Sequence, residues 1–142
     1  MITSTFPKGK KIKLEKLDVK LQGTKDGKIW DVASKLIPLR LYQLFEQNKL
    51  NNIDGGATGA YVLYSFGKHK FYVGRSDKAD LKSRLHSHLQ EEFDIFNYRL
   101  CKEPDEAHDL ECALFHLFPK DLLSNKEHPS SINKRKCPFC SS

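Results

Sequence analysis

The chain has 142 residues and a formal net charge of +6, and 39% of its residues are hydrophobic. This length and apolar content predict one globular domain with an extension. No apolar run is long enough to span a membrane, and the first 16 residues lack the apolar middle of a secretory signal. We therefore expect a cytoplasmic protein with no membrane partner. The basic balance favours an anionic partner, of which nucleic acid is the commonest.

The first part of the chain, residues 1–57, is predicted to be a basic N-terminal extension with one helix. Its first 28 residues are rich in lysine and partly alternating, which fits a solvated basic arm, a phosphate-contacting arm or a short edge strand. Residues 31–49 have apolar side chains at helical spacing, and Pro38 is expected to kink or break that helix. A loop rich in Gly and Asn, residues 51–59, marks the boundary to the second region, residues 58–142.

The centre of the chain predicts a β-hairpin. Residues 60–66 and 69–74 are rich in Val, Tyr and Phe, and Gly67-Lys68 between them fits a two-residue type II′ turn. That turn pairs residues whose numbers add to 135, which places Tyr61 diagonal to Tyr72 on one face. The opposite face is the predicted core face and consists of Val62, Tyr64, Phe66, Phe71 and Val73.

A helix is predicted to follow the hairpin directly. Gly74 ends the second strand on the face of the two phenols, where the missing side chain would let a ligand approach. Ser76 or Asp77 is expected to cap the helix. The helix would carry two ridges at four-residue spacing, a buried one of Leu81, Leu85 and Leu89 and a second one beside it of Arg84 and His88.

The pattern then predicts a third strand at residues 95–101 and a helix from Pro104 to about Phe118. Glu111 falls inside the apolar stripe of this helix. A carboxylate there is costly unless a cation, a metal or several donors compensate it. The alternative is a glutamate at the margin of the stripe that reaches water.

Taken in order, four features resemble the GIY-YIG nuclease domain. They are Gly59-Ala60-Tyr61, Tyr72-Val73-Gly74, Arg84 on the following helix, and Glu111 on the helix after that. The likeness covers residues 59–123 and includes order and spacing. It implies an α+β fold with a small three-stranded antiparallel sheet flanked by helices. It also implies a DNA endonuclease that hydrolyses phosphodiester bonds with Mg²⁺ or Mn²⁺ and uses no small-molecule cofactor.

The resemblance implies a role for each matched residue. Glu111 would hold the metal, and the planar guanidinium of Arg84 would contact phosphate oxygens. Tyr61 would activate the water, directly or through a relay, and Tyr72 would orient the water or the scissile phosphate. His88 stands where related domains carry His or Tyr.

Two further positions have less specific assignments. The supporting asparagine of the family corresponds to Asn125, with Asn133 as the rival, and Arg75 is a weaker phosphate candidate. The alternative function is a catalytically silent nucleic-acid binding module of the same fold, and a third is a basic interaction domain without nucleic acid. The sequence contains no base-reading motif and no pattern that predicts an oligomeric state.

Four cysteines are present, and a disulfide framework is not expected without a secretory context. The tail element Cys137-Pro138-Phe139-Cys140 resembles that of stand-alone bacterial members of the family. With Cys112 and His116, which share a helix face, it predicts a structural zinc site in which His128 is the alternative to His116. The competing interpretation is that Cys112 is a small buried residue and the tail pair holds no metal.

Overall fold

A computed structural model describes residues 12–13, 27–33, 41–125, 127–132 and 134–140. In chain order these form β1 (Ile12–Lys13), α1 (Gly27–Ala33), β2 (Leu41–Leu44), α2 (Gln47–Leu50), β3 (Thr58–Ser65), β4 (Lys70–Ser76), α3 (Leu81–Ser87), β5 (Ile95–Cys101), α4 (Pro104–Leu117) and a 3₁₀ turn (Lys120–Leu122). Most of the basic arm, Pro38 and Asn133 lie outside the described residues. None of the helices in the described ranges is long and apolar enough to cross a bilayer.

The predicted fold class, α+β with a small antiparallel sheet flanked by helices, is confirmed. Strands β4, β3 and β5 form the three-stranded antiparallel centre, with β3 in the middle. Two short strands extend this sheet on the β5 side, which gives the order β1-β2-β5-β3-β4. Because β2 pairs with β5, part of the predicted N-terminal extension belongs to the same sheet. At the other end β4 is the edge strand, so its outer backbone groups are open to other elements.

The central hairpin has the predicted register but a different turn. Strands β3 and β4 pair residues whose numbers add to 135, including Leu63 with Tyr72. The strands end at Ser65 and resume at Lys70, so residues 66–69 form a four-residue loop instead of the predicted two-residue type II′ turn. His69 supplies the left-handed conformation there, with φ of 53°. The register is unchanged because a loop that is longer by one residue on each side pairs the same residues.

Other boundaries were predicted with mixed success. Strand β5 coincides with the predicted third strand, and α4 ends one residue before the predicted Phe118. The helix predicted for residues 31–49, with a kink or break at Pro38, is wrong at Leu41–Leu44, which forms a strand against β5. Helix α3 begins at Leu81 with Asp80 at the N-cap position, later than expected. Ser76 instead closes the preceding loop, since its hydroxyl donates to Asp80 Oδ1 and accepts from the Asp80 N–H.

Helices cover both faces of the sheet. Helix α4 packs on one face and α1 packs against α4, while α3 lies on the other face next to α2. The predicted core face is confirmed, since all five of its members are buried together with the apolar residues of α4. The opposite face is also buried around Leu63, Leu81 and Leu85. Strands β3 and β5 approach each other closely at Gly59, the second residue of β3, where an added Cβ would lie 2.1 Å from the Arg99 carbonyl oxygen.

We predict that Gly59→Ala lowers the free energy of unfolding by about 1–3 kcal/mol, because the added methyl group must push two paired backbones apart. Gly55→Ala is the matched control, since nothing lies within 4 Å of a Cβ at that loop position. Urea unfolding of both variants measures the difference. Equal midpoints for the two alanine variants would contradict the close approach of β3 and β5.

Candidate active site

The two predicted phenols lie side by side near the edge of the sheet. Tyr61 on β3 and Tyr72 on β4 have ring centroids 6.5 Å apart and an interplanar angle of 27°. Gly74 is the cross-strand partner of Tyr61. A Cβ at Gly74 would lie 2.4 Å from both Cζ and the hydroxyl oxygen of Tyr61. The Tyr61 phenol therefore occupies the space above Gly74, where the sequence predicted the approach of a ligand.

The carboxylate in the apolar stripe of α4 has a buried cationic partner. Arg75 Nη1 donates to Glu111 Oε1 at 2.6 Å, and both residues are only 8% exposed. Arg75 Nε also donates to Asp77 Oδ1 at 2.7 Å. Burial raises the pKa of the Glu111 carboxyl to about 7, and the Arg75 guanidinium opposes that rise. The Arg75 guanidinium thus compensates the charge of the Glu111 carboxylate, and Arg75 lies on β4, the strand that α4 covers.

From the sequence, Arg75 was only a weak candidate for a phosphate contact, and its pairing with Glu111 was not predicted. The signal was present in the strand alternation, because Phe71, Val73 and Arg75 point to the same face. That face is the one α4 covers, so a glutamate in the apolar stripe of α4 is the natural partner of an arginine there. Arg75 therefore positions Glu111 rather than standing free at the surface.

Four predicted site residues line one open cleft of about 140 Å³. The cleft is lined by Tyr61, Tyr72, Gly74, Arg75, Asp77, Arg84, Glu111 and Ser130. Groups from both faces of the sheet meet here because β4 is the edge strand. The Arg84 side chain is 51% exposed and its Nε lies 3.2 Å from Asp80 Oδ2. Such an exposed pair contributes little, so a phosphate can replace the aspartate.

His88 contacts the site through Tyr61. Its Nε2 lies 3.2 Å from the Tyr61 hydroxyl oxygen, and its Nδ1 lies 2.7 Å from Glu91 Oε2. Burial raises the pKa of the Tyr61 phenol, and the nearby Tyr72 and Glu111 raise it further, whereas Arg84 lowers it. Tyr61 is therefore a neutral phenol near pH 7, and it can accept a proton only if it gives up its own. The contact with Glu91 was not foreseen from the sequence.

Asn125 supports the edge strand instead of lining the cleft. Its Oδ1 accepts the Val73 N–H at 2.9 Å, and its Nδ2 donates to the Val73 carbonyl at 2.8 Å. The amide side chain thus satisfies both outward backbone groups of the residue between Tyr72 and Gly74. It takes the place of a neighbouring strand, and it fixes the backbone that carries Tyr72 and Gly74.

A second cluster lies on the tail and differs from the predicted set. The ligand atoms of His116, His128, Cys137 and Cys140 all lie within 4.8 Å of one another, and this group could hold a metal ion. Cys112 is not a member. It is fully buried, and its Sγ lies 3.5 Å from Nε2 of His108 one turn earlier on α4. His128 completes the group together with His116 instead of replacing it. Cys112 is adjacent to the group, since burial raises the pKa of its thiol and Cys137 is among the neighbours that raise it further.

No protein-family model, curated protein or solved structure matches this sequence. The likeness to the GIY-YIG domain rests on the quoted residues and their spacing. Function is therefore inferred from the geometry of the cleft and of the His/Cys cluster.

We predict that Arg75→Met lowers the free energy of unfolding by about 3–5 kcal/mol, because it leaves a buried carboxylate without its partner. Without Arg75 the pKa of Glu111 rises further above its usual 4.5. The folded state then binds the proton more tightly than the unfolded state, so stability falls as pH rises through this range. Denaturant titrations should show a larger loss at pH 8 than at pH 5.

Two controls accompany this comparison. Arg84→Met removes an exposed arginine and should change stability by only about 0.5 kcal/mol. The double variant Arg75→Met/Glu111→Gln removes both charges and should recover most of the loss at pH 8. A loss of equal size at both pH values would contradict the buried ion pair.

Proposed function

We propose that this chain is a metal-dependent endonuclease that hydrolyses phosphodiester bonds in DNA. The observation that carries the proposal is the meeting of Tyr61, Tyr72, Arg84 and Glu111 in one cleft. These side chains come from four different elements, β3, β4, α3 and α4. Phosphodiester hydrolysis requires an activated water, relief of charge at phosphorus and a bound phosphate, and this set of groups offers each of them.

Charge supports a polyanionic substrate. The net charge of +6 favours attraction of DNA, and the exposed guanidinium of Arg84 lies at the cleft. A planar guanidinium binds two phosphate oxygens at once, which fixes the orientation of the phosphate as well as its position. Arg75 does not compete for this role because it is buried against Glu111 and Asp77.

The donor set at Glu111 fits Mg²⁺ or Mn²⁺. Within the described part of the chain, the hydrogen bond from Arg75 uses only Oε1, which leaves Oε2 for a cation. A carboxyl whose pKa burial raises to about 7 is strongly stabilised in its charged form by an added cation. Mg²⁺ keeps several waters, so one carboxylate together with substrate phosphate is a sufficient ligand set. Bound there, the ion would relieve charge on the phosphate.

The phenols take the remaining roles. Tyr61 lines the cleft and contacts His88, so it is the group that takes a proton from the attacking water. Tyr72 stacks beside Tyr61 and orients the water or the phosphate. Asn125 fixes the backbone of Val73, next to Tyr72, which is a positioning role and not a catalytic one.

We predict that Glu111→Ala and Arg84→Ala each lower metal-dependent DNA cleavage by about 100-fold or more, since each removes an electrostatic group from the transition state. Glu106→Ala and Lys82→Ala, at exposed or half-exposed positions of the same two helices, are the matched controls and should cut normally. Cleavage of several DNA substrates with Mg²⁺ is the assay. Cleavage by Glu111→Ala at the wild-type rate would contradict this mechanism. If the wild-type protein shifts DNA in a gel with chelator but does not cleave it with Mg²⁺, it is a silent binding module.

For the His/Cys cluster we propose a structural Zn²⁺ that ties the tail to α4. Zinc with bonds of about 2.0–2.1 Å to nitrogen and about 2.3 Å to sulfur places tetrahedral ligand atoms about 3.3–3.8 Å apart. His116 Nε2 lies 3.3 Å from His128 Nε2, and Cys137 Sγ lies 3.4 Å from the former. Cys140 Sγ lies 3.5 Å and 3.2 Å from the two imidazole nitrogens. These four distances lie close to the tetrahedral range, and all four ligand atoms are within 4.8 Å of one another, which supports a single bound ion.

We predict that protein purified without chelator contains one zinc per chain, and that His128→Ala and Cys140→Ser each lose it because a structural site needs all four ligands. Cys112→Ala, which removes a buried thiol outside the cluster, should retain the metal. Elemental analysis measures the content. Zinc lost from Cys112→Ala but kept by His128→Ala would contradict this ligand set.

A further inference from the structure

Three side chains form a continuous hydrogen-bonded chain that begins in the cleft. The Tyr61 hydroxyl contacts His88 Nε2 at 3.2 Å, and His88 Nδ1 contacts Glu91 Oε2 at 2.7 Å. Among the described residues, neither His88 nor Glu91 lines the cleft. The Glu91 N–H also donates to the His88 carbonyl at 3.0 Å, so the turn after α3 holds the carboxylate next to the imidazole.

The carboxylate determines the direction of both hydrogen bonds. An ionised carboxylate can only accept, so His88 Nδ1 must carry the hydrogen in that bond. In the neutral imidazole, Nε2 is then an acceptor, and the Tyr61 hydroxyl must donate to it. The phenolic hydrogen is thereby drawn away from the cleft, and the oxygen keeps its lone pairs for a water molecule there.

We propose that Glu91 is a positioning residue that fixes the Nδ1–H tautomer of His88, so that Tyr61 can pass its phenolic proton to His88 Nε2 as it takes one from water. This inference rests on the proposed endonuclease function. The hydroxide formed in this way uses its electron pair to make a bond to phosphorus. The bond from phosphorus to the leaving oxygen breaks with its electron pair, and that oxygen takes a proton from solvent. His88 becomes an imidazolium beside Glu91 and returns the extra proton to bulk water, so one water molecule is consumed.

The surroundings of Tyr61 and His88 favour such a relay over a free phenolate. Tyr61 is only 2% exposed, and burial raises its pKa, so a lasting phenolate is unfavourable. A phenol that gives one proton while it receives another avoids that state. The imidazole ring is also held by Tyr72 and Phe93, whose ring centroids lie 4.9 Å and 6.1 Å from it. Loss of the carboxylate should therefore change the tautomer without displacing the ring.

The test compares Glu91→Gln with Glu92→Gln. Both variants remove one negative charge from the same loop, but Glu92 is 80% exposed and contacts only Lys68 in the described part of the chain, at 3.6 Å. A glutamine amide can donate its N–H to Nδ1, which favours the opposite tautomer of His88. We expect Glu91→Gln to lower kcat by about 10- to 100-fold, a loss typical of impaired acid–base catalysis. The KM for DNA should stay equal or fall, because a repulsive charge has been removed.

A spectroscopic readout separates this role from a merely structural one. Nitrogen-15 NMR of His88 should show a protonated Nδ1 in the wild type and in Glu92→Gln, and a protonated Nε2 in Glu91→Gln. Unfolding midpoints of the two variants should agree. Equal kcat values for the two glutamine variants, or a lower kcat in Glu91→Gln with an unchanged tautomer, would overturn the relay while the endonuclease stands. A wild-type protein that cuts no DNA would overturn the relay together with the function.

Discussion

The ion pair between Arg75 and Glu111 is the interaction on which the site depends. Removing two charges from water is costly, and a packed apolar pair of similar volume is often as stable or more stable. The pair lies at the point where α4 covers the edge strand, and it places one carboxylate at the back of an open cleft. A functional role of the Glu111 carboxylate would explain why this costly ion pair is present, since strongly perturbed buried groups in clefts are typical of functional sites.

Two glycines allow the close approaches on which the rest of the site geometry depends. Gly59 lets β5 approach the central strand, and Gly74 lets the Tyr61 ring lie across the edge strand. Both are places where a backbone or a ring occupies the volume of a side chain. Because β4 is the edge strand, the phenols from one face and Glu111 from the other reach the same cleft. The edge is kept in shape by the Asn125 amide.

Much of this fold could be predicted from the sequence, because its signals are local. The alternation of residues 60–74 determined the hairpin register, and Pro104 and the apolar stripe defined α4. The strand Leu41–Leu44 could not be predicted, since its conformation depends on pairing with β5 far along the chain. Its apolar spacing also suits a helix, and tertiary pairing decided between the two.

At the site, too, some features could be predicted from the sequence and others could not. The order of Tyr61, Tyr72, Arg84 and Glu111 was readable. The alternation of β4 also carried the signal for the pairing of Arg75 with Glu111. The contact of His88 with Glu91 depends on the turn after α3, which has no motif. The predicted zinc set and the observed His/Cys cluster share His116, Cys137 and Cys140, and they differ because Cys112 was chosen for sharing a helix face with His116. Only the structure showed that Cys112 is fully buried and that His128 lies beside His116.

Binding of a divalent cation at the Glu111 carboxylate, on which the proposed function rests, can be tested without any cleavage assay. Mn²⁺ is titrated into the wild-type protein after the His/Cys cluster has been saturated with zinc, and the backbone amide signals are followed by NMR. We expect paramagnetic broadening to begin at Gly74, Arg75 and Glu111 and to be lost in Glu111→Gln. Broadening that spares these three amides, or that persists unchanged in the glutamine variant, would contradict cation binding at Glu111.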